Sequence, residues 1–379
     1  MQYRTLGKTG LRVSEIGLGC EHLDRKPYAQ VKETIDAALA NGINIFDCFM
    51  PGREIREHIA EALGPKRGDV IIQGAIGSTD IRQQYDVSRD LPTVKRYFED
   101  MLRIFGYVDI GMFFFVDSEK DFDAVFHGES LNYALELKKK GDIRHIGFSA
   151  HNPTTARRVI ETGVPEMVMF SLNPAFDMMP PDEDAVDQLA EGFKRELLQG
   201  IDPKRSGLYT LCEQQNIGIT AMKTLGGGKL ISAEHTPFTR PMTVQQCIHY
   251  ALTRPAVATA MLGSQTAAEV EEAMRYYSVS ETQRDYAEIL GSMRNNFKGD
   301  CVYCGHCQPC PVDIDIAAVM KYLDIARLTP EAVPPSIRSH YLGLDAAGGD
   351  CINCGACEAR CPFEVAIMAN MAEADRLFV

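Results

Sequence analysis

The chain has 379 residues, 45% of them hydrophobic and 24% charged, which predicts a globular protein with one large and one small domain. No apolar run approaches the roughly 20 residues of a membrane span, and the polar N-terminus lacks a secretory signal, so we expect a cytoplasmic protein. The net charge of -13 argues against nucleic acid or a membrane as a partner.

Eight short apolar runs alternate with longer amphipathic stretches up to about residue 280. Helical patterns lie between the runs; for example, Val31, Ile35 and Ala38 share one helix face, and Gly42 suits its end. Eight such units predict parallel strands in a closed (β/α)8 TIM barrel, an α/β fold, with an open doubly wound sheet as the alternative. The predicted strands lie at 15–19, 43–47, 69–74, 108–115, 143–149, 167–171, 217–222 and 257–263.

The connection from Asn173 to Lys204 is longer than an ordinary βα loop. We expect its stretch 178–199 to form an extra helix over the C-terminal mouth of the barrel. Beyond the eighth unit, two further helical patterns lead into a region rich in cysteine. We therefore expect a barrel domain at 1–285 and a second domain at 286–379, with the boundary within 280–297.

Eight of the twelve cysteines lie in two tight motifs, C-x-x-C-x-x-C-x-x-C-P and C-x-x-C-x-x-C-x-x-x-C-P. This spacing predicts two [4Fe-4S] clusters in a small α+β domain like the bacterial ferredoxins, where the fourth cysteine of each motif binds the other cluster. The first motif is one residue shorter than the usual form. The expected ligand sets are Cys301, Cys304, Cys307 with Cys361, and Cys351, Cys354, Cys357 with Cys310.

Structural zinc is the alternative for these motifs, because C-x-x-C pairs also build tetrahedral zinc sites. A third cysteine two residues on, followed by Cys-Pro, has no role at a four-ligand zinc ion. Gly305 and Gly355 also leave backbone N–H groups free to hydrogen-bond to cluster sulfur. The two clusters would either transfer electrons over a short distance or only stabilise the domain.

Five segments resemble the aldo-keto reductases, particularly the branch with a fused ferredoxin domain. They read YRTLGKTGLRVSEIGLG, GINIFD, GDIRHIGFSAHNP, AMKTLGGGKL and LGSQTAAEVEEAM, and the likeness covers nearly the whole chain. The resemblance implies a (β/α)8 barrel with its active site at the C-terminal ends of the strands, where a nicotinamide cofactor meets a carbonyl.

The family's chemistry rests on an aspartate, a tyrosine, a lysine and a histidine, of which only the aspartate is matched, by Asp47. Met50 or Pro51 stands at the tyrosine position, Ala75 at the lysine position and Phe114 at the histidine position. None of these can donate a proton to a carbonyl. We therefore expect no ordinary carbonyl reduction by the family mechanism.

The family's nicotinamide site is matched in part. Ser149 corresponds to the serine that binds the carboxamide. Its amide partner, the glutamine of the sixth strand and the stacking aromatic are replaced by Ala150, Met169 and Met222. NAD(P)H therefore stays a doubtful cofactor.

Two glycine-containing turns could present backbone N–H groups to the phosphates of a dinucleotide. The alternative is that the glycines only make tight turns. No Lys or Arg follows in SQTAAEVEEA, so a 2′-phosphate lacks a partner and NADH is favoured over NADPH. The residues concerned are Gly226, Gly227, Gly228, Gly263 and Ser264.

Polar side chains at the C-terminal ends of barrel strands are the ones that reach a substrate. We interpret Asp47, Cys48 and Lys223 as catalytic candidates, because a lysine that ends an apolar strand can bind an anion or act as an acid-base group. The alternatives are an ion pair for Lys223 and apolar packing for the cysteines Cys20 and Cys48, which would face each other. The whole set is Cys20, His22, Asp47, Cys48, Arg53, Asp117, His151 and Lys223.

These features favour an iron-sulfur oxidoreductase of anaerobic metabolism, with cluster electrons used on a small organic substrate at the barrel mouth. A redox partner protein is a further candidate participant. Two other hypotheses stay open: a non-redox lyase, isomerase or dehydratase, and an electron-carrier or binding protein on an inactive barrel. The substrate, the direction of electron flow and the oligomeric state are not encoded in recognisable motifs.

Overall fold

The computed structural model describes residues 1–81, 84–180, 185–194, 197–198, 200–291, 298–328 and 330–379. Eight strands in these ranges form one closed barrel in which every neighbouring pair is parallel. All eight predicted barrel strands are confirmed, and closure excludes the open sheet. In chain order the strands are β1 (Tyr3–Thr5), β2 (Arg12–Ser14), β3 (Ile16–Gly19), β4 (Ile45–Asp47), β5 (Ile71–Ile76), β6 (Ser78–Ile81), β7 (Gln84–Val87), β8 (Val108–Phe113), β9 (Ile143–Ala150), β10 (Met167–Ser171), β11 (Gly218–Met222) and β12 (Val257–Leu262).

Helices connect the barrel strands and form its outer layer. Asp90 caps one of them by accepting the backbone N–H of Thr93, and Gly42 follows the first helix with φ of 81°, as predicted. No helix in the described ranges is long and apolar enough to cross a membrane. The helices are α1 (Tyr28–Ala40), α2 (Arg53–Leu63), α3 (Leu91–Phe105), α4 (Glu119–Phe126), α5 (Ser130–Lys140), α6 (Pro153–Glu161), α7 (Pro174–Met178), α8 (Ala185–Glu191), α9 (Pro203–Gln214), α10 (Val244–Leu252), α11 (Ala267–Met274), α12 (Glu281–Arg284), α13 (Ala287–Gly291), α14 (Ile316–Arg327), α15 (Pro335–Leu342), α16 (Ala356–Arg360) and α17 (Ile367–Phe378).

The barrel interior is apolar and is closed at its N-terminal end by the hairpin of β1 and β2. Leu6 and Val13 from the hairpin pack against the inward-facing side chains of the strands. A Cβ atom on Gly7 would lie 2.2 Å from the backbone nitrogen of Gly218, so only glycine permits this close approach. The opposite, C-terminal end is therefore the open mouth of the barrel.

The long connection after β10 lies over this mouth, as expected. It contributes α7 and α8, and its side chains Leu189 and Phe193 contact the positions where Cβ atoms of Gly227 and Gly226 would lie. The predicted helix over 178–199 is thus found in shorter form, and its residues 181–184, 195–196 and 199 lie outside the described residues.

The C-terminal module, residues 298–379, is helical where it is described. Its helices α14 to α17 pack around the cysteine loops, and Tyr341 stacks on Phe378 at 4.2 Å between ring centroids. No strand is present in 298–328 or 330–379, so these described residues show the helices but not the strands expected of an α+β module. The physical reason is the helical spacing between the motifs, where Ile316, Val319 and Leu323 share one buried face. The boundary at 285/286 stays a prediction.

The module packs against the N-terminal end of the barrel, beside the C-terminal ends of α9 and α10. Arg254 follows α10 and donates hydrogen bonds to the Tyr286 hydroxyl at 2.9 Å and to the Val302 carbonyl. His340 of α15 pairs with Glu213 of α9 at 3.2 Å. The cysteine loops therefore lie at the end of the barrel opposite the mouth.

A buried ionic network fixes the connection after β10 to the outer helices. Asp177 of α7 accepts hydrogen bonds from Arg205 at 3.1 Å, from Tyr209 at 2.5 Å and from Tyr250 at 2.7 Å. Both charged side chains are almost completely buried. Because a buried carboxylate needs its counter-charge, the network is more sensitive to loss of one partner than a surface ion pair.

We predict that Arg205→Met lowers the free energy of unfolding by about 3–5 kcal/mol, because it leaves Asp177 as an uncompensated buried charge. Urea denaturation followed by circular dichroism measures the change. The matched control is Lys32→Met, which removes an exposed pair with Asp36 and costs about 0–1 kcal/mol. Equal losses in the two variants would contradict a structural role for the buried network.

Candidate functional site

Three charged side chains meet at the mouth of the barrel. Lys223 follows β11 and its Nζ lies 3.1 Å from Oε2 of Glu21, which follows β3. The backbone of Lys223 is left-handed, with φ of 58°, and its carbonyl accepts a hydrogen bond from Asn173 at 2.9 Å. Lys223 therefore forms the ion pair that was the alternative to a catalytic role. The sequence analysis did not include its partner Glu21 among the mouth candidates, although Glu21 lies between two of them, Cys20 and His22.

Asp47 ends β4 beside this ion pair and is almost completely buried. Burial, followed by the negative charge of Glu21, raises the pKa of Asp47 to about 7, against smaller opposing effects of Lys223 and Gln73. Its Oδ1 atom has no hydrogen-bond partner among the described residues. A carboxyl group with a pKa near neutrality and an unused oxygen can hold or release a proton at physiological pH.

Cys20 and Cys48 extend the neighbouring strands β3 and β4 and lie side by side, rather than across the mouth from each other. The Cys20 N–H donates to the Asp47 carbonyl at 3.0 Å, and both thiols are fully buried and free of disulfides. A hydrogen bond with Cys48, together with burial, raises the pKa of Cys20 well above its usual value. Cys20 therefore favours the protonated thiol, which is a poor nucleophile.

Apolar side chains fill the three positions where the family's tyrosine, lysine and histidine would stand. Met50, Ala75 and Phe114 are all buried. Phe114 stacks on Phe49 at 5.2 Å, and Tyr85 packs edge-on against Phe49 at 5.2 Å. The mouth is therefore lined on this side by aromatic rings.

Tyr85 is a phenol that sequence reasoning missed. It reaches the mouth from β7, one strand of a hairpin inserted after β5, and its hydroxyl hydrogen-bonds to Glu21. Burial and Glu21 raise its pKa. The hairpin is an insertion outside the repeating strand–helix pattern, so that pattern does not predict that Tyr85 returns to the mouth.

The other mouth candidates have structural partners. Ser149 accepts the backbone N–H of Phe115 at 2.8 Å, and His151 pairs with Asp117 at 2.8 Å. Arg53 is exposed on α2 and pairs with Glu57. Ser149 lies at the mouth as expected, but one acceptor position of its hydroxyl is already used to hold the neighbouring loop.

The turns at 226–228 and 263–264 have backbone conformations or close contacts that require glycine. Gly226 and Gly228 have φ of 59° and 86°, and their N–H groups bond to the carbonyls of Lys223 and Leu225 within the turn. A Cβ atom on Gly263 would lie 2.5 Å from the His22 ring. These contacts agree with the tight-turn alternative, while phosphate binding by Gly226, Gly227, Gly263 and Ser264 stays a prediction.

The eight motif cysteines surround two separate cavities in the C-terminal module, and all eight are free thiols. Each cavity is lined by three cysteines of one motif and the fourth cysteine of the other. Apolar side chains such as Ile316 and Ile367 complete both linings. The first set is Cys301, Cys304, Cys307 and Cys361, and the second is Cys351, Cys354, Cys357 and Cys310.

The two motifs fold alike around these cavities. The second residue after the first cysteine is left-handed in both, with φ of 56° at Tyr303 and 54° at Asn353. The glycine after the second cysteine is left-handed as well, with φ of 77° at Gly305 and 72° at Gly355. Non-glycine residues adopt this conformation only where the surroundings impose it, so the repeated geometry points to a common ligand shape.

The thiols of each set line a cavity without converging on one point. Among the described residues, no three Cys, His, Asp or Glu side chains are close enough together to hold a single metal ion. A zinc ion requires its sulfur ligands at about 2.3 Å from one centre. A four-iron cubane, by contrast, takes its thiolates at separate corners.

The cysteine sets and the mouth residues are not brought together. The strands between them contain five residues in β11 and six in β12, which at about 3.3 Å per residue and a tilt of about 36° separates the two ends of the barrel by roughly 13–16 Å. The expectation that electrons pass from the clusters to Asp47, Cys48, Ser149 and Lys223 stays a prediction, and it would require transfer along the length of the barrel. The cause is the docking of the module on the closed end of the barrel.

Comparisons with known proteins agree with the barrel. The model of the Aldo/keto reductase family matches residues 15–243, more than half of the chain. The chain belongs to this family. YqkF of Bacillus subtilis (strain 168), described as an uncharacterized oxidoreductase, is 25% identical in an alignment of 330 residues that covers 81% of this chain and 99% of YqkF.

Solved aldo-keto reductase structures share the family fold. AKR11C1 from Bacillus halodurans in its holo form superposes with a TM-score of 0.56 at 18% identity, over 75% of this chain and 94% of that chain. Its apo form gives a TM-score of 0.50 at 19% identity over the same shares. At these identities the likeness concerns the fold alone.

We predict that Asp47→Asn becomes more stable relative to the wild type as the pH rises from about 4 to about 7. An unfolded aspartate loses its proton near pH 3.9, whereas folded Asp47 keeps it up to a pKa of about 7, so the ionisable side chain costs up to about 1.4 kcal/mol per pH unit in this window. Urea denaturation at pH 4, 5.5 and 7 measures the difference between the two proteins.

Two further variants serve as controls of opposite sign. Glu21→Gln removes a charge that raises the pKa of Asp47, so the pH range over which stability changes becomes narrower. Lys223→Gln removes a charge that lowers this pKa, so the same pH range becomes wider. A stability difference that does not change with pH in any background would show that Asp47 ionises normally.

Proposed function

We propose that the protein is an iron-sulfur oxidoreductase of the aldo/keto reductase family that acts on a small organic substrate and binds two [4Fe-4S] clusters in its C-terminal module. The observation that carries the proposal is the crosswise lining of the two cavities by the cysteines of both motifs. This lining corresponds to the ligand exchange of two-cluster ferredoxins. When bound, such clusters accept and supply single electrons.

The residues around the cavities suit these groups. Arg360 donates hydrogen bonds to the carbonyls of Cys307 and Pro309, at 2.6 Å and 2.7 Å, and so ties the two motifs together. Arg254 is buried beside the first cavity, between the rings of Tyr250 and Tyr303. Because four-thiolate clusters are negatively charged, Arg254 beside the first cavity and Arg360 in the lining of the second would each offset part of that charge.

The mouth supports a second candidate function, acid-base catalysis on a small molecule, with or without electron transfer. Asp47 has the raised pKa and free oxygen that proton transfer needs, and Lys223 can stabilise negative charge on a bound substrate. Tyr85 supplies a hydroxyl beside Glu21. This candidate corresponds to the lyase, isomerase or dehydratase hypothesis.

A nicotinamide cofactor is compatible with the family but has little support from the mouth. The carbonyl-reducing tyrosine, lysine and histidine are replaced by buried apolar residues, and Ser149 is engaged by the loop at Phe115. An electron-carrier function without chemistry in the barrel requires that Asp47 and Lys223 have no effect on any turnover.

We predict that anaerobically purified protein contains about eight irons and eight acid-labile sulfides per chain, because each cavity takes a four-iron cubane. Chemical iron and sulfide assays and EPR of the reduced protein measure this content. Cys361→Ala should disturb the cluster of Cys301, Cys304 and Cys307, although it lies in the other motif.

The matched control is Cys247→Ala, which removes a buried thiol of α10 that lines neither cavity. It should leave both cluster signals intact. Zinc in place of iron, or a Cys361→Ala variant that loses only the cluster of its own motif, would contradict the proposed ligand sets.

We predict that the purified enzyme shows no appreciable NADPH-dependent reduction of generic aldehydes, since no tyrosine, lysine and histidine of the family pattern are available to polarise and protonate the carbonyl. The loss of NADPH absorbance with simple aldehydes is the measurement. Turnover at the rates of ordinary aldo-keto reductases that disappears in Asp47→Asn would show that the family site is intact.

A further inference from the structure

Gln73 is the side chain that stands beside Asp47 on the neighbouring barrel strand. The two residues are register partners in the parallel pair of β4 and β5, and the Cys48 N–H donates to the Gln73 carbonyl at 2.9 Å. Side chains alternate along a strand, and Ile45 and Ile71, two residues earlier, face inward. Asp47 and Gln73 therefore lie inside the barrel at its mouth end, where two hydrogen-bonded strands fix their relative position.

The Gln73 amide is completely buried and only partly satisfied. Burial and Glu21 raise the pKa of Asp47, and a hydrogen bond with Gln73 opposes them. The amide nitrogen also lies 3.9 Å from the sulfur of Met169, which is a weak acceptor. Oε1 of Gln73 and Oδ1 of Asp47 have no hydrogen-bond partner among the described residues. Because buried polar groups are nearly always paired, these two acceptors require a donor.

A proton on Asp47 supplies such a donor. An ionised carboxylate only accepts hydrogen bonds, whereas a protonated carboxyl group also has one O–H donor. The amide of Gln73 has two donor hydrogens and an acceptor oxygen, so it can hydrogen-bond to both forms of Asp47. A cationic partner, by contrast, would favour the charged form alone. Gln73 is therefore suited to a carboxyl group that gains and loses a proton.

The ionisable groups around Asp47 come from other strand ends. Glu21, after β3, raises the pKa of Asp47, and Lys223, after β11, lowers it. On β5 itself, Ala75 follows Gln73 on the inward face and has no polar side-chain atom. Gln73 is therefore the polar group that β5 places beside Asp47. The remaining titratable neighbours are the thiols of Cys20 and Cys48 and, through Glu21, the phenol of Tyr85.

We infer that Gln73 is a positioning residue of the mouth, which holds the Asp47 carboxyl group through its amide and leaves Oδ1 free to exchange a proton with a small substrate. This inference rests on the acid-base candidate under the proposed function and deepens it. Asp47 touches the substrate, whereas Gln73 acts only through Asp47. In the transfer, the O–H bond of Asp47 breaks as its proton moves to the substrate, and the carboxylate that remains accepts an N–H of Gln73. The reverse transfer restores the acid.

The titration of Asp47 tests this role without a substrate. Infrared difference spectra of the full-length, anaerobically purified protein from about pH 4 to about pH 9 follow the carbonyl band of protonated carboxyl groups, and the band lost in Asp47→Asn belongs to Asp47. We expect a midpoint at a pKa of about 7 in the wild type. Gln73→Met removes the amide at similar volume and should raise the midpoint by about one pH unit, because the charged form loses a hydrogen bond. Gln73→Lys supplies a cation and should lower it by about one to three pH units.

The matched control is Thr220→Val, which removes a buried hydroxyl of β11 beside Met169 and should leave the Asp47 midpoint unchanged. Equal midpoints in the wild type and Gln73→Met, or a shift of the same size in Thr220→Val, would overturn the inference.

Circular dichroism verifies that each variant is folded. Because Gln73→Met and Gln73→Lys shift the midpoint in opposite directions, either variant alone decides if the other does not fold. A wild-type midpoint near pH 4, about the value of a free aspartate, would overturn the inference without any variant. A midpoint that depends on Gln73, in a protein whose turnover does not depend on Asp47, would overturn the acid-base function alone.

Discussion

The burial of Arg254 at the junction of barrel and module is the constraint on which the arrangement of both sites depends. The guanidinium donates to the Val302 carbonyl inside the first cysteine motif and to the hydroxyl of Tyr286, and it lies between two tyrosine rings. A buried charge with such a set of partners fixes the orientation of the surfaces that share it. It holds the cysteine loops at the closed end of the barrel.

This docking divides the molecule into two chemical regions. The mouth contains Asp47, Glu21 and Lys223, a group suited to proton transfer and anion binding. The base contains the cysteine sets and a cavity lined by charged side chains of both signs, among them Arg254, Lys321 and Glu213. On the proposed function, a barrel that has lost most of the family's carbonyl-reducing residues keeps a proton-transfer site at one end and exchanges electrons at the other.

The sequence was sufficient for the barrel and for the grouping of the cysteines around two cavities, because both depend on repeated local patterns. Alternation of apolar runs located all eight strands, and the duplicated motif identified which cysteine crosses to the other set. Contacts between distant segments left no such pattern. Lys223 pairs with Glu21 only because two distant strand ends meet at the mouth. Tyr85 returns to the mouth only because of how the inserted hairpin of β6 and β7 packs.

The C-terminal module is a second part of the fold that the sequence predicted only in part. Likeness to ferredoxins suggested α+β structure from the cysteines, whereas the spacing of Ile316, Val319 and Leu323 determines a helix between the motifs. The docking face was equally unpredictable, since Arg254 is one arginine of a short loop and its role depends on burial by residues 32 to 48 positions away. For this reason the sequence did not indicate that the cysteine loops lie at the end of the barrel opposite the mouth.

Anomalous scattering from iron in crystals of the anaerobically purified full chain tests the central claim most directly. The account predicts two four-iron clusters at the closed end of the barrel, each bound by three cysteines of one motif and the fourth cysteine of the other. A single metal ion in either cavity, or a cluster bound by all four cysteines of one motif, would contradict it.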